Sequence, residues 1–252
     1  MEMAHRSQKA TGLIIALLAL PLTAQELTYR VRHERLLKDQ QAELVFTGMG
    51  VSLRKLELKS GKAEVSRTST WPYEEIRQLV ISPGKVVVLL YRDRSPWLLG
   101  VDKEYELKLD PGADIGPAYA FLKARLDRRL VAALADSEAA VTWELPAKRP
   151  GLIRGAEGVL RFGPDALIFE TKARGQSRTW RMEDIANVSS SDPYELTVTT
   201  HERALTHYGS RKVFHFQLKQ PIEPKRLDLL WKRLNEANEL TYLKAFQETN
   251  EP

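Results

Sequence analysis

The chain has 252 residues, 43% of them hydrophobic and 28% charged, with a formal net charge of +5. That composition is globular, which excludes a fibrous or wholly disordered chain, and the length suits two domains of about 100–120 residues each. No cysteine is present, which excludes disulfides, thiolate metal sites and a thiol nucleophile.

Residues 1–24 have a pattern of their own. Arg6 and Lys9 form a short basic start, Gly12 to Leu20 is an apolar run, and Leu22-Thr23-Ala24 brings small residues before Gln25. This pattern predicts a secretory signal peptide, cleaved after Ala24 or else kept as an anchor, with cleavage favoured because the apolar run falls short of the roughly 20 residues that a membrane span needs. The expected location is periplasmic or secreted. Loss of Glu2, Arg6 and Lys9 leaves 36 basic against 32 acidic residues, interleaved along the chain. Such a mild, mixed charge argues against a nucleic-acid partner.

From residue 25 onward, short runs rich in Val, Leu, Phe and Tyr alternate with Gly, Pro, Ser and Asp breaks. This is how antiparallel strands with short connections read. Strands are expected near Leu27–Arg32, Ala42–Thr47, Val51–Leu58, Arg67–Trp71, Gln78–Ser82, Val86–Arg92 and Tyr105–Leu109. Leu122, Leu126, Leu130 and Leu134 then recur every four residues after Pro117, which predicts one helix with a single apolar stripe. A second set of strands is expected near Val141–Leu145, Gly158–Phe162, Ala166–Thr171, Ser177–Arg181, Ala186–Ser190, Glu195–Thr200 and Val213–Leu218. Leu227, Leu230, Trp231 and Leu234 after Pro224 predict a closing helix that runs on toward Phe246.

The two sets are copies of one another. An offset of 109 positions lays Trp71 to Leu109 over Trp180 to Leu218 without a gap. Trp71 meets Trp180, Glu74 meets Glu183, Glu75 meets Asp184, Ile76 meets Ile185, Lys103 meets Lys212 and Leu109 meets Leu218. Tyr105 and Leu107 meet Phe214 and Phe216, so the apolar alternation stays in phase. The expected organisation is a signal peptide (1–24), two tandem domains (25–140 and 141–246) and a polar tail (247–252).

Seven strands and a C-terminal helix, given twice, with a Trp–Glu–Asp/Glu–Ile turn in each, resemble the pleckstrin-homology-like superfold and its GRAM-type relatives. The resemblance covers most of the chain after residue 24. It implies an α+β, mainly β fold with two tandem units, each a seven-stranded antiparallel sheet or barrel capped by a helix. That superfold hosts lipid binders, peptide binders and scaffolds, so it does not by itself assign a function.

Chemistry-bearing patterns are sparse. There is no Gly-x-Ser-x-Gly, phosphate-binding Gly-rich loop, His-Glu-x-x-His or dinucleotide fingerprint, so the chain is expected to be non-enzymatic, without cofactor or metal. His201, His207 and His215 are spaced unlike a zinc site. Glu74/Glu75 and Glu183/Asp184 read as turn residues, and Trp71 and Trp180 as core. The strongest binding signal is basic. Lys59, Lys62 and Arg67 lie in an expected loop of the first copy; Lys172, Arg174, Arg178 and Arg181 lie in or beside the matching loop of the second. Cations beside exposed backbone amides hold phosphates and anionic headgroups, and pleckstrin-homology domains that bind phosphoinositides use a basic loop in this way. Two partners are therefore expected: a protein or peptide of the cell envelope, held at a sheet edge, or an anionic membrane surface.

Overall fold

A computed structural model describes residues 26–33, 40–59, 62–95, 101–151, 155–204 and 210–249. The expected signal peptide, residues 250–252 of the expected polar tail, Gly61 and His207 lie outside them, while residues 247–249 of that tail belong to the last helix.

The first half contains strands β1 (Leu27–His33), β2 (Gln40–Thr47), β3 (Gly50–Lys59), β4 (Lys62–Pro72), β5 (Ile76–Ser82), β6 (Lys85–Asp93) and β7 (Asp102–Leu109). Helix α1 (Gly116–Lys123) and strand β8 (Leu130–Ala132) follow. The second half contains β9 (Trp143–Arg149), β10 (Ala156–Phe162), β11 (Ala166–Thr171), β12 (Arg178–Arg181), β13 (Ile185–Ser189), β14 (Glu195–Arg203), β15 (Arg211–Leu218) and helix α2 (Pro224–Thr249). The fold is mainly β, and the strands join one continuous sheet in which β1–β7 occur in the order β5-β6-β7-β1-β2-β3-β4. Strands β9–β15 repeat that order as β13-β14-β15-β9-β10-β11-β12.

Alternation builds this sheet. In β15, Phe214, Phe216 and Leu218 point inward while Val213, His215 and Gln217 point out, as a period of two requires. Inward residues of the first half gather into one core around Phe46, Leu53, Trp71, Ile76 and Leu122. Those of the second gather around Phe162, Phe169, Trp180, Ile185 and Phe216. Trp71 and Trp180 are both 2% exposed, as core residues should be. Glu74/Glu75 and Glu183/Asp184 sit in short 3-10 turns at Tyr73–Glu75 and Met182–Asp184. Even the irregularities match: β5 bulges between Ile76 and Gln78, and β13 between Ile185 and Asn187.

Three expectations need correction. The helix expected through Leu134 ends at Lys123, and Leu130 lies in β8. Asp127 accepts a hydrogen bond from the Arg129 backbone N–H at 2.9 Å, a local turn that competes with helix. The released segment then pairs in parallel with β5 through Leu79–Leu130, Val80–Val131 and Ala132–Ile81, so the leucines stay buried while the unpaired edge of β5 is satisfied. The Lys59–Arg67 loop is instead a hairpin, because β3 and β4 stay paired out to Lys59 and Lys62. Finally, Trp231 is 39% exposed, so the buried stripe of α2 is made by Leu230 and Leu234, with Leu227 and Ala237 against it.

Strand β8 also joins the halves, since its Ala132 pairs antiparallel with Thr179 of β12. Buried polar contacts reinforce the joint. Thr179 donates to the Leu134 carbonyl at 2.9 Å and accepts from the Asp136 N–H at 2.9 Å. Asp102 of β7 accepts from Arg77 of β5 at 2.7 and 2.9 Å and also pairs with Arg203 of β14.

Candidate functional site

At one end of the second half four strands finish or begin together. Arg149 closes β9, Arg178 opens β12, Glu202 is next to last in β14, and Lys212 is second in β15. The antiparallel pairing of β14 with β15 brings that end together, with Arg203 opposite Arg211. The three cations surround one ring. Arg149, Arg178 and Lys212 stand 5.8, 5.9 and 5.3 Å from the centroid of Phe214, within cation–π range. Phe214 is itself held edge-on by Trp180 at 4.8 Å, so the platform is fixed by the core.

Glu202 is the counter-charge. It is 7% exposed, accepts from Lys212 at 3.0 Å, and faces Arg178 Nε at 3.7 Å. The Arg178 guanidinium donates to the carbonyls of Gly175 and Ser177 at 3.1 and 2.8 Å, while Arg149 donates to the Gln176 side chain. Arg178 Nε and Glu202 Oε1 are buried without a hydrogen-bond partner among the described residues. Three cations thus face one carboxylate. Burial draws the Arg149 pKa below its ordinary value, with the neighbouring Arg178 adding to the effect, and burial does the same to Arg178. Desolvated positive charge in excess of its partners is what an entering anion relieves.

The basic residues singled out in the sequence are not gathered in one place. Arg178 belongs to the cluster just described. Arg181 does not: its guanidinium binds Asp184 at 2.8 and 3.0 Å and the carbonyls of Leu126 and Asp127 at 2.8 and 2.7 Å. It is a joint between the halves. Arg174 reaches toward the β5–β6 turn, within 3.6 Å of where a side chain at Gly84 would begin. Lys172 is exposed on the turn that Gly175, at φ +70°, allows. Lys62 and Arg67 are exposed on β4, and Lys59 ends β3.

Sequence reasoning missed Arg149, Glu202 and Lys212. The repeat did contain a signal for one of them, since Lys212 recurs as Lys103 one residue pair before an inward aromatic in both halves. Arg149 and Glu202 gave none, because strand ends are ill-defined in sequence.

A second surface lies at the far end of the sheet. Strand β4 ends the strand order, and Lys62–Thr68 are exposed. A bulge between Lys55 and Leu56 pairs accompanies a change of polarity: Lys55 is buried while Val65 is 52% exposed. Leu56, Ala63 and Val65 line a cleft of about 400 Å³ beside Arg30, Arg32 and Glu43. Among the described residues no group of His, Asp and Glu could hold a metal ion, and no helix is long and apolar enough to cross a membrane.

No family model and no curated protein matches this chain. Among solved structures, it is similar to the C-terminal domain of an unknown protein from Leishmania infantum at 12% identity and a TM-score of 0.29. That match covers 38% of this chain and 84% of the other. It is also similar to the Spt16D Pob3N heterodimer at 16% identity and a TM-score of 0.30, covering 70% of this chain and 84% of that one. At such scores neither likeness bears on fold family or function.

Proposed function

We propose that this chain is a non-enzymatic binding protein of the cell envelope, built from two pleckstrin-homology-like units, that holds an anionic phosphate group at the open end of the second. The duplicated strand order and the matching bulges support the two-unit reading. One observation carries the binding reading: Arg149, Arg178 and Lys212 converge on Phe214 with a single carboxylate, Glu202, against them. The anion would replace water as the partner of the exposed side of that cluster, and the lipid headgroup of an anionic membrane has the right charge. Protein lacking residues 1–24 should sediment with vesicles of phosphatidylglycerol and phosphatidylcholine at low salt and release as salt rises. Arg149→Ala with Lys212→Ala should weaken that binding about tenfold or more. Unchanged sedimentation of the double variant would overturn the reading.

A second reading is favoured by β4. A terminal strand beside an apolar-floored cleft suits an extended peptide that adds to the sheet edge. Under this reading Val65→Asp, at a position exposed enough to leave folding intact, removes a partner that the unaltered protein captures from envelope extract. Equal capture by both proteins would exclude the edge.

A further inference from the structure

A cleft of about 260 Å³ opens between α1 and the chain that follows β8. Asp114, Tyr119 and Lys123 line it from the helix side, and Asp136 and Glu138 from the facing wall. That wall is fixed by the joint between the halves. Strand β8 docks on β5, and Thr179 then holds the Leu134 carbonyl and the Asp136 N–H. Every residue that lines the cleft belongs to the described chain.

Tyr119 is the feature that a ligand would complete. The residue is 4% exposed, it lines the cleft, and its hydroxyl makes no hydrogen bond among the described residues. A buried hydroxyl without a partner is costly, and phenylalanine would fill the same space without that cost. Burial, and then the nearby charge of Asp136, hold the Tyr119 pKa above its ordinary value, so the hydroxyl stays neutral and its oxygen is open to a donor. Nor does the repeated fold demand a tyrosine here. The proline that opens α2, Pro224, is followed two residues on by Arg226, whose guanidinium lies 5.3 Å from the Trp143 ring centroid.

The charge around the hydroxyl selects the donor. Asp114, Asp136 and Glu138 line the cleft against Lys123 alone. Asp136 pairs with Lys123 Nζ at 3.5 Å, whereas Asp114 and Glu138 have no ion-pair partner among the described residues. Arg181, close to Tyr119, is paired with Asp184 and Glu183. The cleft is therefore negative, which favours a cation. Among the described residues no group of His, Asp and Glu could hold a metal ion, so the cation is organic. Lys123 already places an ammonium 5.4 Å from the Tyr119 ring centroid. The volume lies below the roughly 300 Å³ at which drug-sized pockets begin, and Pro117, Ala120 and Leu134 give the cleft apolar sides, which suits a slim aliphatic chain. We infer that this cleft binds a primary alkylammonium, which donates to the Tyr119 oxygen and is neutralised by Asp114, Asp136 and Glu138. The inference is independent of the anion reading of the second half.

Cadaverine, a linear diamine, is the probe. Calorimetric titration of the protein at neutral pH and low ionic strength should give saturable binding. Tyr119→Phe keeps the ring and every charge, and should weaken that binding about tenfold or more while Tm is unchanged or raised. Glu138→Gln should weaken it about threefold, and Lys123→Met, which removes the internal competitor for Asp136, should strengthen it about threefold. Absence of saturable binding overturns the inference. So does binding that Tyr119→Phe leaves unchanged, since charge alone then attracts the probe. A lowered Tm in that variant also overturns it, because the hydroxyl then has a structural partner. N-acetyl-lysine methylamide separates the sources. Binding as tight as that of cadaverine assigns the lysine side chain of a protein partner, binding of cadaverine alone assigns a free diamine, and either upholds the alkylammonium site.

Discussion

Arg181 is the contact whose removal should be felt most. Its side chain is 16% exposed and Asp184, its carboxylate partner, is 11% exposed. Beyond Asp184 it serves carbonyls of the chain that follows α1, at Leu126 and Asp127. Replacing it with methionine keeps the apolar stem and deletes every one of these hydrogen bonds. Removing one partner of a buried ion pair costs about 3–5 kcal/mol, because the other charge is left in a low-dielectric site. For a chain of this size that is a drop of roughly 6–20 °C in Tm. The loss should depend on pH with a definite sign. Burial pushes the Asp184 pKa up from 3.8 to about 6, against the attraction of Arg181. A carboxyl with a raised native pKa binds its proton more tightly when folded. Its protonation therefore stabilises the native state as pH falls from about 6 to about 4, and contributes nothing above that window. A neutral Asp184 needs no counter-charge, so the Arg181→Met penalty should shrink on acidification. Urea unfolding at about pH 7.5 and about pH 5 measures both numbers. A loss under about 1 kcal/mol at the higher pH, or one that grows on acidification, would refute the reasoning.

Two further outcomes follow from local geometry. His201 is held to a pKa of about 4, mainly by burial and then by Arg128 and Arg211. A histidine depressed in this way contributes stability above its ordinary value of 6.5 that is lost as pH falls toward 4, about 1–2 kcal/mol after allowing for its partial exposure. His201→Gln should remove that loss, read as the difference in urea midpoint between the two proteins at about pH 7.5 and about pH 5. At Gly158 a Cβ would sit 2.1 Å from the Glu170 carbonyl oxygen, a backbone atom that cannot yield. Gly158→Ala should cost about 2–3 kcal/mol, whereas Gly48→Ala, with nothing within 4 Å, should cost little; equal midpoints in thermal unfolding would contradict this.

Which features were legible in the sequence follows from what each depends on. Strands such as β15 were legible because alternation is a local property of six or eight residues. The repeated strand order was legible because Trp71 to Leu109 and Trp180 to Leu218 share a register without gaps. Strand β8 was not, since Leu122, Leu126, Leu130 and Leu134 satisfy a helical period as well as they satisfy burial in a turn and a short strand. Only the unpaired edge of β5, a property of the assembled sheet, decides between them. The basic residues show the same division. Their clustering in sequence marked Arg178, but its neighbours in space, Arg149 and Lys212, come from strands 29 and 34 residues away in the chain. Arg181, three residues from Arg178, faces the other half instead.

The residues of the joint distinguish the inner edges of the two halves from the outer ones. In the sheet, β5 of the first half meets β12 of the second through β8, which leaves β4 and β13 as outer strands. The residues of the joint do not recur at the equivalent positions of the other half. Arg181 corresponds to Pro72, which has no guanidinium and no N–H to give. Arg77 corresponds to Ala186, and the carboxylate of Asp102 corresponds to the cation of Arg211. Among the described residues the second half shows no equivalent of β8. Helix α2 runs on past the point where α1 stops, and its Asn238 approaches the Ile185 carbonyl of β13 at 3.5 Å. Halves that share one strand order therefore differ at their edges, and the residues that join the inner edges are not repeated on the outer ones.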